Sequence, residues 1–472
     1  MSGSCASCAC TLASSSLLLK ASSARAPRLP RVLSFLDISV LSSASMGPAY
    51  SLASTMGPMV AAAGAAAPSA LLALTAIMLC IAVAFSRLSQ RAPNAGSSYA
   101  WIEMAFGIDA GAYGAWLLLL SNFFATMATA IPAGIYTLDL LNPGRAQNPL
   151  WDAAVGGVWI LGSAALLYAG VRPTALVTAG LLLFELVVLA ASALAAGFHA
   201  PVHAARASTI SGAPLALSAF GFINAMTLGI WMSDGWEVSA STSEEVRGNQ
   251  AQSGRGGITG LLLTSALLIA CMAAYLHLGG ASGFGDHADD AMAYLATLLG
   301  GRLWQIAIIV TVLVSTCTAL WTTLLYLSRS VYAMGRTGVL PAFFGRLDRR
   351  NEPLWSLLGI ALLVTAAELL VGFSPTANRA LILVLNGSSV FLGLLFAGSA
   401  AASIRIFWDQ PLERVRGVIV PAVGLAALVA ILGATIRFED PVLRAYAIAG
   451  ILLGIPFAAL VRLCGRRPAL AL

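Results

Sequence analysis

The chain has 472 residues, of which 59% are hydrophobic and only 10% are charged, and its mean hydropathy is +0.86. Soluble domains carry about a quarter charged residues, so this composition excludes a soluble globular protein. The net charge of +6 does not indicate a nucleic-acid partner, because the basic residues follow the membrane topology described below.

Apolar stretches of about 20 residues recur along most of the chain, and a helix of that length crosses a bilayer core of about 30 Å. Residues 266–276 and 418–432 lack the alternation of apolar and polar positions that a membrane β-barrel requires. We therefore predict an all-α polytopic membrane protein with about 12 transmembrane helices. The predicted spans run approximately from 34 to 62, 67 to 88, 109 to 141, 151 to 170, 173 to 197, 213 to 243, 257 to 279, 302 to 334, 354 to 373, 378 to 405, 417 to 437 and 441 to 463.

The N-terminal segment, residues 1–31, contains no acidic residue and is rich in serine and alanine. It could be a targeting peptide, a disordered tail or residues upstream of the true start, and we expect a disordered tail. Cys5, Cys8 and Cys10 lie in this segment, but no fourth ligand is nearby, so we predict no metal site.

Span one is interrupted in its middle by a glycine and a proline, within the run Ser45, Met46, Gly47, Pro48, Ala49 and Tyr50. These residues remove a helical hydrogen bond and permit non-helical dihedral angles, so the helix should break and restart with Pro48 in its first turn. The amides of Ala49, Tyr50 and Ser51 would then be free to bind a carboxylate, which the positive end of a helix favours. The alternative is a proline kink packed against neighbouring helices.

Span six carries an acid and a glycine within an apolar run, at Trp231, Met232, Ser233, Asp234 and Gly235. Charged residues at membrane depth usually line a cavity or a pathway. Asp234 followed by Glu237 also resembles the capping box of a restarted half-helix. Both interpretations require a break here, and they differ in whether Asp234 also meets a substrate.

The two interrupted spans are five spans apart, as in secondary transporters built from inverted five-helix repeats. We therefore predict a first repeat at 32–200, a second repeat at 201–405 and two further helices with a short tail at 406–472. Amides of one half-helix would face an anion, and carbonyls near residues 231–233 would face a cation. An α-amino acid carries both charges on one carbon and would suit such a site.

Twelve spans place both termini on one side of the membrane. Of the 26 basic residues, 20 then lie on the side of the termini and 6 on the other. Lysine and arginine are enriched in cytoplasmic loops. We therefore predict that both termini are cytoplasmic and that the protein lies in the cytoplasmic (inner) membrane.

Three motifs lie at the ends of spans: residues 91–99 (RAPNAGSSY), Glu244-Glu245, and residues 328–341 (SRSVYAMGRTGVLP). In these motifs the chain resembles the amino acid–polyamine–organocation (APC) superfamily of permeases. The resemblance implies the LeuT-like fold, a 5+5 inverted repeat with discontinuous helices 1 and 6, plus two C-terminal helices.

The resemblance also implies roles for single residues. Trp231 falls where the family has an aromatic gate over the substrate, although a core or lipid-facing tryptophan is the alternative. Asn122 in span three falls near a position that contacts substrate in relatives, although a lone asparagine in a membrane helix can instead form an interhelical hydrogen bond.

Coupling to an ion gradient has two candidate sites. Some proton-coupled relatives have a lysine in the middle of span five, where this chain has Glu185. Burial favours the neutral form of a carboxyl group, so Glu185 is a candidate proton carrier or, alternatively, a neutral residue that fixes helix packing. Ser315 and Thr316 in span eight match hydroxyls that sodium-coupled members use, but they could equally bond to their own helix.

Two further acids receive no transport role. Asp37 lies in the first turn of span one, where the helix dipole favours an acid. Glu368 in span nine is expected to lie near the outer face and to reach water.

We predict a secondary active transporter for amino acids or related amines that works by alternating access, coupled to H+ or Na+ and without a cofactor or metal. The chain lacks the glycine-rich loop of ATP-driven systems, and we predict no enzymatic activity. The alternatives are a polyamine or amine transporter with Asp234 as counter-ion, and a transporter-like ligand sensor. The predicted partners are a small-molecule substrate and the lipid bilayer, while the sequence specifies neither the substrate nor the oligomeric state.

Overall fold

The computed structural model describes residues 29–146, 148–201, 219–288, 290–374, 377–438 and 441–464. These residues form helices joined by short loops, with one isolated parallel bridge between Leu33 and Val246. The predicted tail lies outside the described residues up to residue 28, and its three cysteines lie there too. Leu29, at the end of the predicted tail, is buried.

Each predicted span coincides with one or more helices. In chain order the helices are α1 (Phe35–Ser45), α2 (Pro48–Ser51), α3 (Gly57–Ala63), α4 (Ala67–Arg91), α5 (Ser98–Phe106), α6 (Ile108–Leu141), α7 (Pro149–Tyr168), α8 (Val171–Phe198), α9 (Ala219–Met232), α10 (Val238–Ser241), α11 (Ala251–Asp286), α12 (Ala291–Leu299), α13 (Gly301–Thr337), α14 (Leu354–Val371), α15 (Ala377–Phe407), α16 (Val420–Phe438) and α17 (Pro441–Leu463). A π-helical segment, Leu52–Met56, joins α2 to α3, and another, Arg414–Ile419, precedes α16. Helices α5 and α12 were not predicted, because a helix of nine residues is too short to cross a membrane.

Among the described residues, ten stretches are long and apolar enough to cross a membrane. The first, Phe35–Arg91, contains predicted spans one and two, and the helix of predicted span six, Ala219–Met232, is shorter. Leu176 and Leu183 on α8 are each 63% exposed, which suits contact with lipid. The all-helical polytopic architecture is therefore confirmed, whereas the count of twelve and the inverted repeat stay predictions.

The start of α1 is fixed by a capping box between Ser34 and Asp37. The Asp37 amide donates to the Ser34 hydroxyl at 3.3 Å, and the Ser34 amide donates to Asp37 Oδ2 at 2.8 Å. This arrangement satisfies amides that a helix start leaves without partners, so Asp37 has a structural role.

The helices pack in pairs that join the two halves of the chain. Helix α4 packs against α11, α6 packs against α13 and α15, and α7 packs against α14. Glycines allow α11 to approach its neighbours closely: a Cβ on Gly254 would lie 2.3 Å from Ser86 Cα, and one on Gly260 would lie 2.6 Å from Ser42 Cβ. Small residues at such contacts are what membrane helices use to pack backbone against backbone.

An ion-pair network closes one end of the helix bundle. The Arg329 side chain lies fully buried about two turns before the end of α13. It donates from Nε to Glu245 Oε1 at 3.0 Å and from Nη2 to Glu352 Oε2 at 2.9 Å. The Glu245 carbonyl accepts from the Val32 and Leu33 amides. Removing one partner of such a buried pair costs about 3–5 kcal/mol, so the network holds the ends of spans one, six and eight together.

The expectation that Glu368 reaches water is wrong. Glu368 lies one turn before the end of α14, but its side chain is fully buried and turns towards α7, where a Cβ on Gly156 would lie 2.8 Å from its Oε1. The sequence indicates how far along a helix a residue lies, but an evenly apolar helix such as α14 does not indicate which neighbour the side chain faces.

Candidate functional site

The predicted break in span one is present. Helix α1 ends at Ser45, Met46 is its C-cap, and α2 restarts at Pro48. Gly47 between them has φ 52° and ψ 67°, a left-handed conformation that glycine adopts without steric cost.

The predicted break in span six is also present, but its geometry differs from the prediction. Helix α9 ends at Met232, Gly235 has φ 107°, and α10 begins only at Val238. The capping box is wrong, because the residue before α10 is Glu237 and not Asp234. Glu237 Oε2 accepts instead from the Gly235 amide at 3.0 Å. The Glu237 carboxylate therefore stabilises the turn at Gly235, whereas in a capping box it would accept from the amide of Asp234.

The two breaks face each other across a small cavity. A Cβ on Gly235 would lie 2.5 Å from the Ser45 carbonyl carbon, so the chain segments are in direct contact. The cavity volume is about 10 Å³, room for about one water molecule, so side chains must move to admit anything larger. Its lining consists of Ser45, Met46, Tyr50, Ser51, Thr129, Trp231, Asp234, Ala319 and Thr323.

Five of the predicted site residues line this cavity, namely Ser45, Met46, Tyr50, Trp231 and Asp234. Five others are buried around the breaks and are not among the lining residues of the cavity, namely Gly47, Pro48, Ala49, Met232 and Ser233. Of the remaining four lining residues, the sequence indicated Ser51 only through its backbone amide and did not indicate Thr129, Ala319 and Thr323. Only the two threonines offered a signal. The available signal was a hydroxyl in an apolar span, but Thr129 also bonds to the Ala125 carbonyl of its own helix, so the sequence could not separate the two uses.

Trp231 lies over the cavity and does not face lipid. Its side chain is 7% exposed, and its ring meets that of Tyr50 edge-on with centroids 6.4 Å apart. Tyr50 is held in turn by its hydroxyl, which donates to the Ala128 carbonyl at 2.6 Å. Two aromatic rings therefore form a wall of the cavity.

Asn122 is not brought to the cavity. Its Nδ2 donates to the Leu118 carbonyl of its own helix at 3.1 Å. The interhelical hydrogen bond at this level comes from Ser388, whose hydroxyl donates to the Ser121 carbonyl at 3.0 Å. Neither interpretation of Asn122 from the sequence describes this geometry.

The amides at the start of α2 are not free, and that expectation is wrong. Ala49 N–H donates to Glu185 Oε1 at 2.8 Å, and Tyr50 N–H donates to the Ser315 hydroxyl at 3.1 Å. Ser51 N–H donates to the Gly47 carbonyl at 2.7 Å. The restarted half-helix does hold a carboxylate, as its dipole favours, but this carboxylate belongs to the protein.

The coupling candidates therefore separate into two groups. Glu185 and Ser315 both contact the break of span one. Glu185 is fully buried, and its Oε2 has no hydrogen-bond partner among the described residues. Thr316, by contrast, donates to the Val312 carbonyl of its own helix at 2.7 Å.

Comparison with known proteins places these features in a family. A family model described as amino acid permease matches residues 33–450. The branched-chain amino acid permease BcaP of Lactococcus lactis subsp. cremoris is 27% identical over 320 residues, which are 61% of this chain and 65% of that protein. An uncharacterized transporter of Mycobacterium tuberculosis is 25% identical over 374 residues, 78% of this chain and 81% of that protein. An uncharacterized amino acid permease of Bacillus subtilis is 26% identical over 289 residues, 58% of this chain and 62% of that protein.

Proposed function

Because the chain belongs to the amino acid permease family, we propose that it is a secondary active transporter that carries amino acids across the membrane by alternating access. It is an integral membrane transporter and not an enzyme. The observation that carries the proposal is the cavity between the two helix breaks, which is nearly closed and holds one carboxylate among its lining residues.

Asp234 is the residue that we assign to the substrate's ammonium group. It is the one acid among the described residues that line the cavity, and a charge-assisted hydrogen bond to an ammonium is stronger than a neutral one. Carbonyls at the end of α9 add partial negative charge on the same side. Tyr50, Trp231 and Met46 would then surround an apolar side chain of the substrate.

The substrate's carboxylate would bind the amides at the start of α2, taking the place of Glu185. A protonated carboxyl group is a weaker acceptor than a carboxylate, so a proton on Glu185 would release the Ala49 amide. Protonation of Glu185 would therefore both admit the substrate and load a proton, so that substrate transport and proton transport are coupled. Na+ near Ser315 is the alternative coupling ion, with Asn122 and Thr316 assigned to neither role.

A decarboxylated amine is the second candidate substrate, and a specific observation favours it. The Ala49 and Tyr50 amides already donate to Glu185 and Ser315, so the cavity offers a carboxylate for a cation while the two amides predicted to bind an anion are occupied. A ligand sensor of the same architecture would bind amino acids without moving them.

The proposed membrane is the cytoplasmic (inner) membrane, with both termini cytoplasmic, because 20 of the 26 basic residues then lie on the inner side. The proposed inverted repeat relates spans one to five with spans six to ten. Packing of α4 against α11 and of α7 against α14, which are spans two with seven and four with nine, supports that arrangement.

Accumulation of labelled leucine in sealed proteoliposomes tests this function. BcaP is named a branched-chain amino acid permease, which makes leucine the first compound to test, with its decarboxylated amine in parallel. We expect leucine to accumulate under an inward proton gradient and not in liposomes without protein. Accumulation of the amine alone would favour the second candidate, and binding of leucine without accumulation would identify a sensor.

A further inference from the structure

A wide pocket lies where α4 ends and α11 begins, apart from the cavity between the helix breaks. Its volume is about 800 Å³. Four arginines line it and come from four different parts of the chain: Arg31 before α1, Arg87 in the last turns of α4, Arg255 in the first turns of α11, and Arg416 in the π-helical segment before α16.

Within the described part of the chain, acidic side chains balance only one of the four arginines. Arg87 pairs with Glu413 and donates to Gln90 Oε1 at 2.9 Å. Arg31, Arg255 and Arg416 form no ion pair within the described part of the chain. No acidic residue is among the residues that line the pocket, and the buried Arg87 Nε has no hydrogen-bond acceptor there.

The start of helix α11 adds to this positive potential. Residues 248–251 line the pocket, and α11 begins at Ala251 and runs to a kink at Gly280. The Asn249 side chain accepts from the Ala251 amide at 2.9 Å, and no acidic side chain caps this helix start. The N-terminus of a long helix carries about half a positive elementary charge. The guanidinium groups and the helix dipole therefore both contribute to the positive potential in the pocket.

The two ends of the chain that lie outside the described residues carry no acidic side chain. Residues 1–28 and residues 465–472 contain arginines and no aspartate or glutamate. Like charges at short distance repel, so four guanidinium groups around one pocket are most stable when an anion from outside the chain joins them.

We propose that this pocket binds a phosphate-bearing anion. The guanidinium group presents a planar set of donors that matches phosphate bidentately, and three unpaired arginines suit a ligand with more than one negative oxygen. The arginines lie at or just outside the ends of predicted spans, where lipid headgroups would contact a membrane protein. The ligand is therefore a headgroup of an anionic phospholipid or a soluble polyphosphate of the same chemistry. It connects the segment before span one, the end of span two, and the starts of spans seven and eleven.

The test compares two phosphate sources on the purified full-length protein in neutral detergent. Short-chain phosphatidylglycerol and inorganic pyrophosphate are each titrated while the melting temperature is followed, with short-chain phosphatidylcholine as the neutral lipid. The variant is the double substitution Arg255→Gln and Arg416→Gln. The matched control is Arg346→Gln with Arg349→Gln, which removes two exposed arginines that are not among the pocket-lining residues.

We expect phosphatidylglycerol or pyrophosphate to raise the melting temperature, and the concentration that gives half of the effect to increase at least tenfold in the pocket variant but not in the control. An effect of phosphatidylglycerol alone identifies a lipid site, and an effect of both identifies a site for phosphate itself. The proposal is overturned if neither compound has an effect, or if the control variant loses as much affinity as the pocket variant. Because no substrate is added, the result does not depend on the proposed transport function.

Discussion

Two acids define the candidate site, half-buried Asp234 and fully buried Glu185, and their side chains face different groups. Asp234 faces the cavity between the breaks, whereas Glu185 turns towards the backbone and accepts from the Ala49 amide. A carboxylate bound to a helix start is stabilised by the dipole and by the amide. Glu185 therefore holds the position that an anionic ligand would need.

Neutralising Asp234 should weaken binding of any substrate that carries an ammonium group. A hydrogen bond to a charged partner contributes about 1.5–3 kcal/mol, so we expect Asp234→Asn to lower affinity for leucine or its amine by about 10- to 100-fold. Isothermal titration calorimetry on the purified protein measures this change.

The control for this change is Asp109→Asn. Asp109 pairs with Arg462 at the surface, where their side chains are 62% and 74% exposed, and such exposed pairs contribute little. Equal affinities for the wild type and Asp234→Asn, with both proteins folded, would remove Asp234 from the binding site.

At the residue scale, the sequence predicted those cavity-lining residues that belong to the two helix breaks. Ser45, Tyr50 and Trp231 could be named because glycine, proline and a buried acid mark the places where a membrane helix stops. Thr129 and Thr323 could not be named, because the face of spans three and eight that meets the cavity depends on how the helices pack. The partner of Glu185 could not be predicted either, since it is a backbone amide 136 residues earlier in the chain.

At the element scale, the local sequence predicted where helices end better than it predicted which side chains stabilise those ends. The Gly47-Pro48 break and the end of α9 lie where glycine and proline predict them. The capping box at Asp234 failed, because the positive φ of Gly235 closes the turn and Glu237 bonds to that turn. A local motif therefore identified the break and misassigned the residue that stabilises it.

The contact of α11 with α1 depends on the absence of a side chain at Gly260. A Cβ there would lie 2.6 Å from Ser42 Cβ, so Gly260→Ala forces the helices apart. Overpacking of this kind costs about 1–3 kcal/mol, and we expect a lower melting temperature in a thermal unfolding assay.

Gly180→Ala provides the comparison for this prediction. Gly180 lies in α8, and a Cβ there would have no atom within 4 Å, while alanine favours a helix over glycine by about 1 kcal/mol. This variant should be unchanged or more stable. A Gly260→Ala protein as stable as Gly180→Ala would show that the α1 and α11 contact is not tightly packed.

At the scale of the whole molecule, the structure is closed around the candidate site. The cavity has room for about one water molecule, and the Arg329 network joins spans one, six and eight at one end. The sequence motifs that indicated the family, Glu244-Glu245 and residues 328–341, contribute Glu245 and Arg329 to this network. Composition and hydropathy sufficed for the helical architecture, but the pairing of motifs distant in the chain needed the structure.

We propose that the substrate's carboxylate and ionised Glu185 compete for the Ala49 amide. If so, substrate binding is accompanied by protonation of Glu185, and linkage then requires affinity to rise as pH falls. One bound proton changes affinity by up to about tenfold per pH unit. The variant Glu185→Gln cannot take up this proton and should bind with little dependence on pH.

The most direct measurement is therefore the affinity for labelled leucine in acidic and alkaline buffer, for the wild type and Glu185→Gln. We expect tighter binding in acid for the wild type and nearly equal affinities in the two buffers for the variant. The same pH dependence in both proteins, or weaker wild-type binding in acid, would contradict it.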